Sequence, residues 1–307
     1  MKEITKKIIK KEFNYSPEKK SLTSKNERSK KILAVFDGYK FSQSTLEYAI
    51  QLTKEADAYL VGVFLDESFY RSYNTLQILK TYKNAEQILL KLDAKDQEKR
   101  DAAVKQFQKA CGQAGIAYTF HRNTDIAIHE LKQESIFADL IIINDSETFS
   151  RVAEDSPTRF IKELLSDVQC PVLVVPNKFI AIDKIILLYD GGPSSVFAIK
   201  MFSYIFNGMG NLPVEVFTVK EKNGSSPLSH HKLMKEFIKR HFPKAKFIVA
   251  KGNPEEQVVG YLRNHKENEL VVLGAYRRSE ISRWFKTSMA DILIKELDTV
   301  LFIAHNK

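Results

Sequence analysis

The chain has 307 residues, 44% of them hydrophobic, which is typical of one or two globular domains. No apolar run approaches the roughly 20 residues of a membrane helix, and the lysine-rich start lacks the apolar stretch of a signal peptide, so we expect a cytoplasmic protein without a membrane partner. The net charge of +9 lies mostly in residues 1–31, which hold eleven basic and four acidic residues; the nearly neutral remainder argues against a nucleic-acid partner.

Residues 1–29 form a basic extension that precedes the first predicted strand. Its composition favours a poorly ordered, solvated segment. Two alternatives stay open. The basic residues can serve as a salt-sensitive arm for an acidic partner, and the amphipathic stretch KEITKKIIKKEF can form a short docking helix.

From residue 30 onward, short apolar runs alternate with amphipathic segments of helix length. The predicted strands of the first stretch are ILAVF, YLVGVFL, IAYTF, LIIIN and VLVV. Continuous apolarity means burial on both faces, which indicates a parallel sheet with helices above and below. The segment SQSTLEYAIQLTKEA is the first such helix, with Ser42 or Ser44 as its N-cap and an apolar stripe of Leu46, Ala49, Ile50 and Thr53. The alternation predicts an α/β doubly wound domain.

The second half of the chain repeats the first. KKILAVFDGYKFSQSTLEYAI resembles DKIILLYDGGPSSVFAIKMF, so that Asp37 aligns with Asp190 and Gly38 with Gly191. The later strands and helices follow in the same order in both copies. We therefore predict two tandem domains of the same fold, over residues 30–177 and 183–307, after the extension of residues 1–29.

The first copy carries an insertion at about residues 66–100 that the second copy lacks. Its apolar side chains are too many for a free loop; they are Phe69, Tyr70, Tyr73, Leu76, Ile78 and Leu79. The pattern favours a helix that packs over the crevice of the first domain. A lid that binds a partner is the alternative.

Ligands of open parallel sheets bind beyond the carboxyl ends of the strands, where the strand order reverses. Asp37 and Asp190 end the first strand of each copy, where a carboxylate can accept hydrogen bonds from a ribose or an adenine amino group. Capping of the next helix is the alternative role. Gly38, Gly191 and Gly192 allow close approach of a ligand to the backbone.

The loops after the fourth strands differ in charge. The first, NDSETFSRVAEDSPTRF, contains four acidic residues, two arginines and no glycine, which disfavours a polyphosphate. The second runs from Gly274 to Ser288 and contains three arginines and a lysine against Glu280 alone. It ends in Thr287 and Ser288 at the predicted start of a helix, where a hydroxyl can help to bind an anion or act only as an N-cap. The sequence therefore predicts any anion site in the second copy.

On these residues, each copy resembles the universal stress protein family, and residues 30 to 307 resemble a tandem member. The resemblance implies five-stranded parallel sheets of order 3-2-1-4-5 that pair through their last strands. It also implies, for some members, ATP binding by a glycine motif after the fourth strand. In that motif Gly274 stands at the first glycine, Arg277 at the second and Thr287 at the third, and Ser288 at the serine. The candidate nucleotide-binding residues are Asp190, Gly191, Val219, Gly274, Arg277, Arg278, Thr287 and Ser288.

We thus expect a stress-response protein whose second domain binds ATP or ADP, with Mg²⁺ as an accompanying ion, without catalysis. An interaction scaffold that keeps only the fold is the alternative. The sequence contains no Walker loop, no G-x-S-x-G elbow and no H-E-x-x-H pair, which disfavours an enzyme, although slow ATP hydrolysis is left open. A homodimer is compatible with the resemblance. Cys111 and Cys170 have no metal-binding or redox spacing and are predicted core residues.

Overall fold

The computed structural model describes residues 29–66, 70–220, 231–264, 268–274 and 289–304. The first half alternates strands and helices in the order β1 (Lys31–Phe36), α1 (Gln43–Ala56), β2 (Tyr59–Leu65), α2 (Thr75–Thr81), α3 (Ala85–Ala114), β3 (Tyr118–Asn123), α4 (Ala127–Ile136), β4 (Leu140–Asn144), α5 (Arg159–Asp167) and β5 (Val172–Val175). The second half repeats this order as β6 (Lys184–Leu188), α6 (Pro193–Ile205), a 3₁₀ turn (Asn207–Asn211), β7 (Val214–Lys220), α7 (His231–His241), β8 (Lys246–Lys251), α8 (Pro254–Asn264), β9 (Glu269–Gly274), α9 (Met289–Glu296) and β10 (Val300–Ala304).

The ten strands form one sheet in the order β3-β2-β1-β4-β5-β10-β9-β6-β7-β8. Counted from its own first strand, each half has the order 3-2-1-4-5, and all pairs within a half are parallel. The predicted α/β fold and strand order are therefore confirmed.

The two halves meet through their last strands, as predicted. β5 and β10 pair antiparallel, with Leu173 opposite Phe302 and Val174 opposite Leu301. The two five-stranded sheets are consequently one continuous sheet. Because this central pair is antiparallel, the carboxyl ends of the strands lie at opposite edges of the sheet in the two halves.

The strands are buried on both faces, as their apolarity predicts. In β1, Leu33 and Val35 pack into the core on one face, and Ile32, Ala34 and Phe36 into the core on the other. The apolar residues of β4, β5 and β10 are likewise buried. Helices therefore cover both faces, and burial of these strands provides most of the hydrophobic stabilisation.

Of the two serines proposed as the N-cap of α1, Ser42 takes that position. Its hydroxyl oxygen accepts a hydrogen bond from the Thr45 amide at 3.1 Å. Ser44 lies inside the helix, and its hydroxyl donates instead to the Pro176 carbonyl oxygen at 2.5 Å. The first helix is thus fixed both at its own start and to the segment that links the two halves.

The predicted helix over the first crevice is borne out only in part: α2 does not cover the crevice, whereas residues of α3 reach it. The insertion forms the short helix α2 and extends the N-terminal end of α3, a helix of 30 residues. Leu76 and Leu79 of α2 are exposed, at 69% and 54% of their surface. Phe69 lies outside the described residues, and Tyr70, Asp96 and Arg100 of the insertion interact with Tyr39 at the crevice. The apolar pattern indicated a helix but not which surface it would cover.

Both cysteines are buried and unbonded, as the sequence predicts. Within the described part of the chain, no helix has the length and apolarity required to cross a membrane.

Candidate functional site

The predicted second-domain site begins where β6 ends. Asp190 follows the strand and is half-buried. Its Oδ1 accepts hydrogen bonds from the Gly192 amide at 2.8 Å and from the Ser195 hydroxyl at 2.7 Å. Asp190 therefore holds the turn that precedes α6 without capping the helix itself, and its partial exposure leaves it accessible to a ligand as well.

The turn after Asp190 depends on glycine. Gly191 has a φ of 81°, in the left-handed region that favours glycine. Gly192 is the N-cap of α6, and no described side chain caps this helix. In the first half, by contrast, Ser42 caps the corresponding helix. Among the described residues, the start of α6 therefore lacks the N-cap side chain that Ser42 provides in the first half.

Gly274, at the end of β9, packs directly against the first turn of α6. A Cβ atom at this position would lie 2.5 Å from the Ser194 carbonyl oxygen and 2.7 Å from the Ser195 amide nitrogen. The contact requires a residue without a side chain, because real Cβ contacts are longer. The glycine predicted from the phosphate motif thus has a packing role of its own.

Val219 is buried near the end of β7, which pairs with β6 in parallel register. The structure therefore brings Asp190, Gly191, Val219 and Gly274 to the same edge of the sheet. Four further candidates, Arg277, Arg278, Thr287 and Ser288, lie outside the described residues, and their predicted part in the site remains a prediction.

The first-domain crevice is filled by the protein's own side chains. Asp37, the counterpart of Asp190, is fully buried. Its Oδ1 accepts a hydrogen bond from the Tyr39 amide at 2.8 Å, and the Tyr70 hydroxyl lies close to the carboxylate. The Arg100 guanidinium lies 4.5 Å from the centre of the Tyr39 ring and donates to the Tyr70 carbonyl oxygen at 2.9 Å. A Cβ atom on Gly38 would meet Arg100 Cγ at 2.9 Å, so little room is left beside this turn.

Buried carboxyl groups give this crevice an acidic interior. Burial raises the pKa of Glu147 well above its usual range, and the neighbouring Asp37 raises it further. Burial also raises the pKa of Asp37, a shift that the Tyr39 amide and the Tyr70 hydroxyl oppose. Both groups are therefore easier to protonate than exposed carboxyls, and the crevice is a poor environment for an anion.

A network at the end of β2, which the sequence analysis missed, holds this arrangement in place. The buried Asp66 carboxylate pairs with Arg122, whose Nη2 lies 2.7 Å from Asp66 Oδ2. Arg122 also pairs with Asp101 at 2.7 Å, and Arg100 Nε lies 3.6 Å from Asp66 Oδ1. One available signal was that Arg122 aligns with Gly252 in the second copy, so that the basic group belongs to the first copy alone.

The described residues contain no cluster of three or more histidine, cysteine, aspartate or glutamate side chains that could hold a metal ion.

Several solved structures are similar to this chain. Neither a family model nor a curated protein matches the chain. A universal stress protein from Archaeoglobus fulgidus DSM 4304 is 14% identical, with a TM-score of 0.65 over 91% of this chain and 100% of that one. A candidate universal stress protein from Pseudomonas aeruginosa UCBPP-PA14 is 13% identical, with a TM-score of 0.58 over 90% of this chain and 92% of that one.

A third structure, a universal stress protein family protein from Arabidopsis thaliana with AMP bound, is 11% identical and covers 48% of this chain and 92% of its own, at a TM-score of 0.32. A similarity this weak does not indicate whether the present chain binds AMP. The first two matches extend over both halves of the chain and, at these identities, concern the fold. The chain therefore has the universal stress protein fold, in two tandem copies that share one sheet.

Proposed function

We propose that this is a stress-response protein whose second half binds an adenine nucleotide, ATP or ADP with Mg²⁺, without turnover, and whose first half does not. The observation that carries the proposal is the difference between the two corresponding crevices. Asp190 is half-buried at the mouth of one, whereas Asp37 is fully buried in the other.

The first crevice is unsuited to a nucleotide for steric and electrostatic reasons. Arg100, Tyr39 and Tyr70 occupy the space beside the glycine turn, where a ligand would approach the backbone. The buried Glu147 and Asp37 disfavour a nearby polyphosphate, since each carboxylate that ionises adds a like charge.

The second crevice differs from the first in the groups that surround its turn. Gly191 and Gly192 carry no side chains over the turn, and the start of α6 has no side-chain cap among the described residues. Backbone amides and the helix dipole at such a position favour a negatively charged group. The Asp190 carboxylate, being itself anionic, suits a ribose hydroxyl or an adenine amino group, and Val219 offers an apolar surface beside it.

The sequence of the following loop supports the same assignment. Residues 275–288 contain Arg277, Arg278, Arg283 and Lys286 against a single acid. Guanidinium groups bind phosphate through two parallel hydrogen bonds. The expectation that the bound nucleotide is not turned over rests on the sequence, which contains neither a Walker loop nor a nucleophile elbow.

Isothermal titration calorimetry of the full chain with ATP, ADP and AMP, with and without Mg²⁺, tests the proposal. We expect a dissociation constant in the micromolar range for at least ATP or ADP. Asp190→Asn keeps the Oδ1 acceptor for Gly192 but removes the charge, and should weaken binding about tenfold. Arg278→Glu should weaken it further by repelling the phosphates.

The matched control is Asp37→Asn, the same change in the first crevice, which should leave the affinity unchanged. Loss of binding in this variant would move the site to the first half. Absence of heat with every adenine nucleotide would favour the alternative, a scaffold that keeps the fold without the ligand.

A further inference from the structure

The inserted helix α2 has an unusual distribution of apolar side chains. All seven of its residues, Thr75–Thr81, are described, and none is buried. Leu76, Leu79 and Tyr82, the residue at the C-terminal end of the helix, follow one another at intervals of three. They are exposed over 69%, 54% and 51% of their surface. Residues three apart share a face of a helix, so this stripe is the outward face.

The fold does not account for this stripe. A helix of a globular protein normally turns its apolar face to the core, and isolated helices shorter than about 12 residues are marginal in water. The second half also forms the same five-stranded sheet, and its described residues include no counterpart of α2. The sheet therefore does not need α2 for its own packing. Exposed leucines on such a helix indicate a surface that binds another molecule.

Apolar side chains are exposed on the neighbouring helix as well. At the N-terminal end of α3, Ala85 is buried and Ile88 and Leu89 are half-buried, whereas Leu90 is 65% exposed. At about 100° per residue, Leu90 points away from the side that these residues cover. We call residues 74–92 the leucine hairpin; its exposed apolar side chains stand on more than one side.

Charge selects among the possible occupants. Within the leucine hairpin the charged side chains are Lys80, Lys83 and Lys91 against Glu86 alone, so its net charge is positive. The basic N-terminal extension and a second copy of the hairpin carry the same sign and are disfavoured. The groove of an acidic protein would cover one side of the hairpin. An anionic bilayer matches the charge and can contact the exposed side chains on every side of the hairpin that the protein leaves open, with tyrosine at the interface and lysines reaching the headgroups.

We propose that the leucine hairpin is a docking surface for an anionic lipid bilayer. Leu76 and Leu79 enter the interface between headgroups and acyl chains, while Lys80 and Lys83 contact the phosphates. This departs from the expectation of no membrane partner, which concerned spanning segments. Surface insertion needs only a short amphipathic element with basic flanks.

Vesicle sedimentation with the full chain tests the proposal. The wild-type chain should sediment with vesicles of phosphatidylcholine that contain about a third phosphatidylglycerol, and not with phosphatidylcholine alone. The double variant Leu76→Ser, Leu79→Ser should bind about tenfold more weakly or worse, since two side chains lose their apolar contact. Leu233→Ser is the matched control, because Leu233 is a 64% exposed leucine on α7 of the second half, and it should bind like the wild type.

A fluorescence measurement distinguishes insertion of the leucine hairpin into the bilayer from electrostatic attachment of the basic extension to the vesicle surface. Tyr82→Trp places a reporter at the turn of the hairpin, and its emission, after subtraction of the native Trp284 signal, should shift to the blue on anionic vesicles. Binding that persists unchanged in the leucine double variant, with no blue shift, would assign attachment to the extension and overturn the proposal. So would a complete lack of binding, or a wild-type dimer that the leucine double variant converts to a monomer in gel filtration.

Discussion

Asp145 offers a test of the seam between the two halves. It follows β4, and its amide donates to the Val175 carbonyl oxygen at 3.0 Å. Its Oδ1 is buried without a hydrogen-bond partner among the described residues. Burial, followed by the charge of Asp298 just before β10, raises the pKa of Asp145 from 3.8 to about 6. Replacing it by Asn removes the buried charge, so Asp145→Asn should stabilise the protein at pH 8.

The magnitude follows from the pKa shift. One pKa unit corresponds to about 1.4 kcal/mol, so a rise of about two units gives about 3 kcal/mol, which we reduce to about 2 kcal/mol because Asp145 is only half-buried. The direction of the pH dependence follows from the protonation state of Asp145. Above pH 6 the folded protein carries an ionised carboxylate that the unfolded chain tolerates better; as the pH falls towards 4, the folded form protonates first and this cost disappears. The gain should therefore be full above pH 6 and vanish near pH 4.

Urea denaturation followed by circular dichroism at pH 8 and at pH 4 measures this difference. Asp155→Asn, at an exposed acid of the same loop, is the control and should change the free energy of unfolding by less than about 0.5 kcal/mol. Asp298→Asn should recover part of the gain, and the double variant should gain less than the sum, because the two carboxylates act on one another. A gain of equal size at pH 4 and pH 8, or no gain at pH 8, would refute the electrostatic explanation.

Three further predictions concern stability, each measured as the free energy of unfolding in urea. Gly274→Ala should lower it by about 1–3 kcal/mol, because the added Cβ meets the backbone of α6. The control Gly260→Ala, inside a helix with open space around the added Cβ, should raise it by up to about 1 kcal/mol. Equal effects of the two changes would contradict the packing role of Gly274. Ser42→Ala should lower it by about 1 kcal/mol through loss of the α1 cap, and Ser42→Thr by less. Arg122→Met should lower it by about 3 kcal/mol, since Asp66 stays buried with a weaker partner, and Asp66→Asn in the same chain should restore part of that loss.

The sequence was sufficient to predict the sheet. Continuous apolar runs such as LIIIN and VLVV can be buried only between two layers of helices, and the internal repeat required both halves to adopt the same strand order. Pairing through the last strands came from the family resemblance, and the Leu173–Phe302 register confirms it. Burial on both faces and the duplication depend on local pattern and chain order, which a single sequence records directly, whereas the strand order 3-2-1-4-5 came from the resemblance as well.

The contents of the first crevice could not be predicted in the same way. Arg100 and Tyr39 are far apart in the chain, and nothing in the local sequence indicates that the guanidinium stacks on that ring. The exposed stripe of α2 was missed for a related reason. Leu76 and Leu79 have the spacing of a core-facing stripe, and the spacing alone does not distinguish a surface packed on the protein from one left in water.

The antiparallel pairing of β5 with β10 determines how far apart a bound nucleotide and a bound lipid surface would lie. It places Asp190, at the end of β6, and the base of the leucine hairpin, after β2, at opposite rims of the sheet and six strands apart, on the order of 30 Å across the strands alone. A nucleotide and a lipid surface could then be held simultaneously without steric competition. Any influence of one on the other would have to travel through the shared strands, as a change in their pairing or twist.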